Sequence, residues 1–264
     1  MLDGIFVLER VGLPWYVRTM KTYVVSLVRE TQRRATIAER LRALDIPFEF
    51  FDAVDGATAQ PDKSVYDPDR MITWNRKPLT AGQIGCYMSH YRVWQQLATS
   101  DDNFALILED DTIPLPSLNT LLDSINRLPK NWEVVLLSDS IPSINKHSLM
   151  ASRNILTANI SIDHYIRPGV FTSAYLLHKR GAARLVQNSL PMRGPVDAWN
   201  SHSWRDGLVI HRSTPIVAIH SSDHGSTTGT IPRQRLTIKK TIKHFADRTL
   251  LISYAIARLC KVYK

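Results

Sequence analysis

Cysteine is nearly absent: the 264 residues hold two, Cys86 and Cys260, with no CxxC pair and no Cys/His zinc spacing. That usage argues against a disulfide scaffold or a structural zinc module, and a reducing compartment fits. Long apolar runs are missing too. A bilayer-spanning helix needs roughly 20 consecutive apolar residues, and no such stretch occurs. Met1 to Lys21 is mixed in charge and has no uninterrupted apolar segment, so it reads as an extension before the first strand, not as a secretory signal. There are no repeats and no low-complexity tracts. From residue 233 onward the chain also lacks acid. Nine Lys/Arg (Arg233, Arg235, Lys239, Lys240, Lys243, Arg248, Arg258, Lys261, Lys264) stand against Asp247 alone, so this segment carries +8 of the formal +9.

What remains is ordinary for a folded protein. With 44% hydrophobic and 22% charged residues the chain can bury a core, which excludes wholesale disorder. The body, residues 22–232, is near neutral, and the basic segment 233–264 forms a tail. Thr249 to Leu259 mixes apolar residues with flanking Lys/Arg and is too short to cross a bilayer. It suits a helix lying on an anionic membrane surface; the alternative is a terminal helix packed on the body. No aromatic stacking motif accompanies the basic charge, so nucleic acid is not an expected partner.

The most informative stretch is Phe104-Ala105-Leu106-Ile107-Leu108-Glu109-Asp110-Asp111. A continuous apolar run suits a strand buried on both faces. Three adjacent carboxylates at its end repel one another unless a cation sits among them. Ligands of open α/β sheets bind outside the carboxyl ends of the strands, where these acids would lie. The pattern fits a divalent metal held ready for a diphosphate; the bland alternative is that the acids cap the next element.

Around it, Thr22–Val28 reads as a first buried strand, followed by Arg29, Arg33 and Arg34 and a helical face of Ile37, Leu41 and Leu44. Phe48–Phe51 is a second strand, closed by Asp52 to Gly56. Residues 57–78 look like a long loop, and Thr80 and Gln83 have capping-box spacing before a helix carrying Ile84, Met88, Tyr91, Trp94 and Leu97. A helix near Ser117–Arg127, a strand at Trp132–Leu137, a strand-to-helix unit from Ala174 to Val186, and strands at Leu208–His211 and Ile216–His220 follow; 139–168 is less regular. Alternating strands and helices predict a three-layer α/β domain with a mostly parallel, Rossmann-like central sheet.

Four stretches, in this order, resemble glycosyltransferase family 25, the lipooligosaccharide β-galactosyltransferases: Val25-Ser26-Leu27 with the three arginines, Ile46 to Gly56, Leu79 through His90, and Ala105 to Asp111. Weaker matches run through Ser173–Leu177 and Pro195–Asp197. The resemblance implies a GT-A fold, a nucleotide-sugar donor (usually UDP-galactose), inversion at the anomeric carbon, and Mn²⁺ or Mg²⁺. It further implies a glycan or glycolipid acceptor such as lipooligosaccharide, and a cytoplasmic location, peripheral on the inner face of the bacterial inner membrane.

Onto these positions the residues map as follows. Asp111 is the first candidate metal ligand and Glu109 the second, with His220 or alternatively His224 the candidate to complete the shell; Asp110 binds metal or the donor ribose. Arg29 and Arg33 favour phosphate at a helix start. Ser26, Asp52, Asp55, Ser89 and His90 face the donor, although Asp55-Gly56 equally suits a turn and His90 a buried core position. Asp197 is the best candidate for the base that takes the acceptor hydroxyl proton, and Trp199 or Trp204 is a candidate to stack on an acceptor sugar, the alternative being a core position. UDP-glucose or a UDP-N-acetylhexosamine is the alternative donor. A non-catalytic membrane or nucleic-acid adaptor with structural acids is the reading from another class.

Overall fold

The computed structural model describes residues 20–75, 77–139, 150–165, 172–197 and 207–221, together with Ser253. The N-terminal extension, the basic tail, His224, Trp199 and Trp204 lie outside these residues, apart from Met20, Lys21 and Ser253.

Eight strands form the main sheet in the order β2-β1-β3-β9-β5-β10-β8-β7: β1 Lys21–Ser26, β2 Glu49–Asp52, β3 Phe104–Glu109, β5 Val134–Leu136, β7 Met150–Ile155, β8 Ser161–Tyr165, β9 Ala174–His178 and β10 Ile210–Thr214. A second sheet holds β4 Thr112–Pro114, β11 Ala218–His220 and β6 Ser138–Asp139, in the order β4-β11-β6. Both faces of the main sheet are covered. On one face Val24, Leu106, Leu108, Val135 and Leu176 meet Ile37 and Leu41 of α1 (Thr31–Ala43) and Leu118, Leu121 and Leu122 of α4 (Ser117–Asp123). On the other, Tyr23, Ala105, Ile107, Val134, Leu136, Tyr175 and Leu177 meet α3 (Ala81–Thr99) and α5 (Lys179–Asn188). Successive residues of each strand thus enter opposite layers, as period-two geometry requires. Each fully buried aliphatic side chain contributes about 1.5–3 kcal/mol.

The expectation of a mostly parallel sheet is overturned. The pairs β1–β2, β1–β3 and β5–β10 are parallel, but β3–β9, β5–β9, β8–β10 and β7–β8 are antiparallel. The cause is β9, which threads between β3 and β5 against the direction of both. A strand buried on both faces reads as an apolar run whichever way it points, so Ala174–Leu177 carries no sign of its direction. The less regular 139–168 contributes a second antiparallel element, the β7–β8 hairpin.

The expected loop 57–78 contains a helix, α2 Pro68–Asn75. Asp67 Oδ1 accepts from Asp69 and Arg70 N–H at 3.0 and 3.3 Å, and Pro68 occupies the first helical position, where its missing N–H costs nothing. Helix α3 starts on the capping box that the spacing predicts: Thr80 Oγ1 accepts from Gln83 N and Gln83 Oε1 accepts from Thr80 N. Its buried stripe is Tyr87, His90, Val93, Trp94 and Leu97, while Ile84, Met88 and Tyr91 are only half-buried.

Candidate active site

Strands β1 and β3 are parallel neighbours, with Val25 opposite Glu109, so both end at one edge of the sheet. That register brings Ser26 beside the acids, and its hydroxyl donates to Asp110 Oδ2 at 2.6 Å. Helix α1 begins just beyond β1 and points Arg33 into the same corner. One guanidinium nitrogen, Nη2, stands 2.8 Å from Asp110 Oδ1 and 2.7 Å from Asp111 Oδ2, and all three side chains are buried. Strand β11 pairs with β4 so that His220 faces Thr112. This sets His220 Nδ1 3.3 Å from Asp111 Oδ1, with Ser221 N–H donating to the Asp111 carbonyl at 2.8 Å.

The third acid turns the other way. Glu109 Oε1 lies 3.1 Å from His90 Nε2 on α3 and accepts from Thr172 Oγ1 at 3.1 Å. Helix α3 comes this close because two glycines meet: a Cβ on Gly56 would lie 1.8 Å from the Ala81 carbonyl oxygen, and one on Gly85 would lie 2.5 Å from Gly56 N. Ser89 fastens the contact, accepting from Val54 N–H at 2.8 Å and donating to the Gly85 carbonyl at 2.6 Å.

These elements enclose a cleft of about 510 Å³, a normal size for a small-ligand site. Ser26, Arg29, Arg33, Asp55, Ser89, His90, Glu109, Asp110, Asp111, Asp197 and His220 all line it. Asp52 does not. It lies outside the lining with its side chain 68% exposed, paired with Arg34, which also donates to the Ser26 carbonyl at 2.7 Å. Arg29 pairs with Asp55, whose other oxygen accepts from Ala57 N–H at 3.0 Å, so Asp55 serves the turn as well as the cleft wall. Asp197 stands on the wall with Pro195 and Val196, apart from the acid corner in sequence. Thr172, Ser173 and Cys86 also line the cleft, and the sequence alone assigns none of them a role there. Thr172 and Ser173 reach the cleft through the antiparallel insertion of β9, which no local pattern announces.

The profile of "Glycosyltransferase family 25 (LPS biosynthesis protein)" matches residues 19–199. The chain belongs to glycosyltransferase family 25. It is 25% identical over 219 residues, 74% of its length, to a glycosyltransferase 25 family member of Aedes aegypti, and covers 35% of that protein. It is 25% identical over 222 residues to procollagen galactosyltransferase 1-A of Xenopus laevis, covering 75% of this chain and 35% of the relative. It is also 24% identical over 223 residues to inactive glycosyltransferase 25 family member 3 of Homo sapiens, covering 75% and 36%. The chain spans about a third of the length of these relatives.

Within this family member the acids are held in distinct states. Burial raises the Asp110 carboxyl above its ordinary value, and repulsion from Asp111 and Glu109 adds to this against the pull of Ser26 and Arg33. Burial also raises Glu109, but the hydrogen bonds from His90 and Thr172 outweigh it and leave that carboxyl below the ordinary range. The Asp111 carboxylate raises the His220 imidazole, against partial burial and Arg33. Arg33 Nε is buried with no hydrogen-bond partner, and Asp111 Oδ1 has only the His220 imidazole, 3.3 Å away. A carboxylate oxygen and an imidazole nitrogen this close are donor types suited to Mn²⁺ or Mg²⁺. Among the described residues, Cys86, His90 and Glu109 are the grouping of three metal-ligating types whose ligand atoms all lie within 4.8 Å of one another. Burial, reinforced by Glu109, Asp197, Asp111 and Asp110, pushes the Cys86 thiol well above its ordinary value, which disfavours the thiolate that binds metal.

Proposed function

We propose that this protein is an inverting, metal-dependent hexosyltransferase that moves galactose from UDP-galactose onto a lipid-linked cell-surface glycan, lipooligosaccharide or a close relative. The observation that carries the reading is the convergence of Glu109, Asp110, Asp111, Arg33 and His220 in one cleft that has Asp197 on its wall. The family description supports a lipopolysaccharide-type acceptor, and relatives named as galactosyltransferases support the donor sugar.

Glu109, Asp111 and His220 would hold a divalent cation, which when bound would offset the charge developing on the diphosphate leaving group. Arg33, anchored by two carboxylates, offers its unpartnered Nε to the same anion, and Arg29 at the cleft mouth adds a second, more exposed cation. Asp110, tied to Ser26, holds Arg33 in place and is the acid assigned to the donor ribose. Asp197 takes the acceptor hydroxyl proton as that oxygen attacks opposite the leaving group. The gap between the acid corner and Pro195–Asp197 admits the acceptor. The basic composition of residues 233–264 supports a location at the cytoplasmic face of the inner membrane, where a lipid-linked acceptor would be met.

Relatives named as inactive favour one further reading, a member that keeps the cleft without turnover. A panel of UDP-sugars with Mn²⁺, with and without a glycan acceptor, separates the cases by UDP release. Galactose-specific, acceptor-stimulated release is the expected result. Preference for UDP-glucose or a UDP-N-acetylhexosamine changes the donor, and no release with any sugar overturns the enzymatic reading.

A further inference from the structure

The acid triplet lies where the chain passes from one sheet to the other. Strand β3 runs beside β9 with Leu108 opposite Ala174; Asp110 and Asp111 then turn the chain into β4, which begins at Thr112 and pairs with β11. Both ends of this turn meet a single acceptor. The Ser173 carbonyl takes the Glu109 N–H at 2.8 Å and the Thr112 hydroxyl at 2.6 Å. A carbonyl oxygen has two lone pairs and can serve both donors. Thr112 is fully buried and Ser173 is buried, so water does not compete for that oxygen. Two further bonds flank the turn: Arg40 Nη1 of α1 donates to the Thr112 carbonyl at 3.0 Å, and Ser221 N–H donates to the Asp111 carbonyl at 2.8 Å. None of these four bonds uses a carboxylate oxygen. Three of them involve main-chain atoms of residues 109–112, which any residue type supplies there. The Thr112 hydroxyl is the one contribution from a side chain of the turn.

We propose that Thr112 is a positioning residue for the acid corner: its hydroxyl ties the far end of the turn to the carbonyl that already holds the near end, and so fixes the main chain from which Asp110 and Asp111 project. Adjacent carboxylates push one another apart, and Arg33 pairs with only Asp110 and Asp111 of the three. A turn closed on one buried oxygen resists that repulsion before any ligand arrives. The arrangement is that of an outer partner that holds a ligand in place, whose loss costs ~10–100-fold in metal affinity. The consequence for a cation rests on the proposed metal-dependent function; the closure of the turn does not.

Two substitutions in the full-length chain test it. Thr112→Val puts a methyl where the hydroxyl stands, and the Ser173 carbonyl keeps the Glu109 N–H, so no buried acceptor is left without a donor. Thr112→Ser keeps the hydroxyl. By calorimetry, Thr112→Val should weaken Mn²⁺ binding in the presence of UDP about tenfold or more, UDP binding without metal should match the parent's, and Thr112→Ser should restore the Mn²⁺ affinity. Parent-like Mn²⁺ affinity in the valine variant overturns the role. A serine variant as weak as the valine one shows that the methyl group matters and not the hydroxyl, and overturns it equally. Backbone NMR of the metal-free proteins reads the turn itself: the Asp110 and Asp111 amides should show microsecond-to-millisecond exchange in Thr112→Val and none in the parent or Thr112→Ser, and amides that behave alike in all three overturn the closure. If the parent binds no Mn²⁺ with UDP, the metal-dependent function fails and the consequence for the cation falls with it, while the NMR result still decides whether Thr112 closes the turn.

Discussion

Asp111 is the residue on which most of the acid corner converges. Its Oδ2 takes Arg33, its Oδ1 faces His220, and its carbonyl accepts from Ser221 N–H. Asp111→Asn keeps the volume and replaces one carboxylate oxygen by a nitrogen that cannot coordinate a hard cation. Transfer should fall at least tenfold, which corresponds to about 1.4 kcal/mol of barrier, with UDP release as the readout. A folded variant that keeps more than about a tenth of the parent rate would remove the metal from its assigned place. Asp197→Asn should lower turnover by ~10²-fold or more, the usual scale for loss of a general base, and leave UDP affinity nearly unchanged. Loss of UDP binding in that variant would move Asp197 to the donor side of the cleft.

Strand pairing decides how well the far half of the sheet is held. Asp163 of β8 is fully buried and accepts from Arg153 Nε and Nη2 on β7, both at 2.9 Å, and from Thr214 Oγ1 on β10 at 2.9 Å. One carboxylate thus ties three strands. Burial raises Asp163, but the bonds from Arg153, Thr214 and Ser161 outweigh it and its pKa lies below the ordinary value. The sign follows: a carboxyl lowered on folding adds stability that is present above its unfolded pKa, about 3.9, and is lost as pH falls through the folded value. Asp163→Ala should therefore cost ~1–3 kcal/mol near neutral pH, toward the low end because Arg153 is half exposed. The gap to the parent should narrow in urea unfolding as pH drops toward about 3. An equal loss at both pH values would show that packing, not charge, is what Asp163 contributes.

Across the whole molecule, charge is divided between a near-neutral body and a basic tail. No described helix is long and apolar enough to cross a membrane. Deleting residues 233–264 should weaken co-sedimentation with anionic vesicles much more than transfer to a short soluble acceptor. Each Lys/Arg near an anionic surface contributes ~1 kcal/mol, and the attraction should fade at high salt, since exposed charges are screened over roughly 8–10 Å at physiological strength. Lys239, Lys240 and Lys243 would then meet headgroups while Leu250, Leu251, Ile252 and Ile256 enter the interface. If the truncated chain instead melts at lower temperature, and the full chain ignores anionic vesicles at low salt, the tail belongs to the body.

Much of this protein is local, and the local part is legible in its residues. The apolar run ending in Glu109-Asp110-Asp111, the Thr80/Gln83 cap, the alternation that gives each strand two faces and the four ordered stretches of family 25 all depend on neighbours within a few positions. What depends on distant partners is not. Nothing in Ala174–Leu177 tells which way the strand runs, because burial on both faces is blind to direction, and that direction determines how Tyr175 approaches His90. Arg33 is 78 residues from Asp111, and only the parallel pairing of β1 with β3, followed by α1, puts its guanidinium between two carboxylates. Asp52 shows the reverse case. It sits in a matching stretch one pairing away from Ser26, yet the edge position of β2 turns it out to Arg34 and solvent. Residue types and spacing determined that acids, arginines and histidines would be available at strand ends. The order and direction of the strands decided which of them meet, because long-range electrostatics and hydrogen bonding act only between groups that the sheet has already brought within a few ångströms.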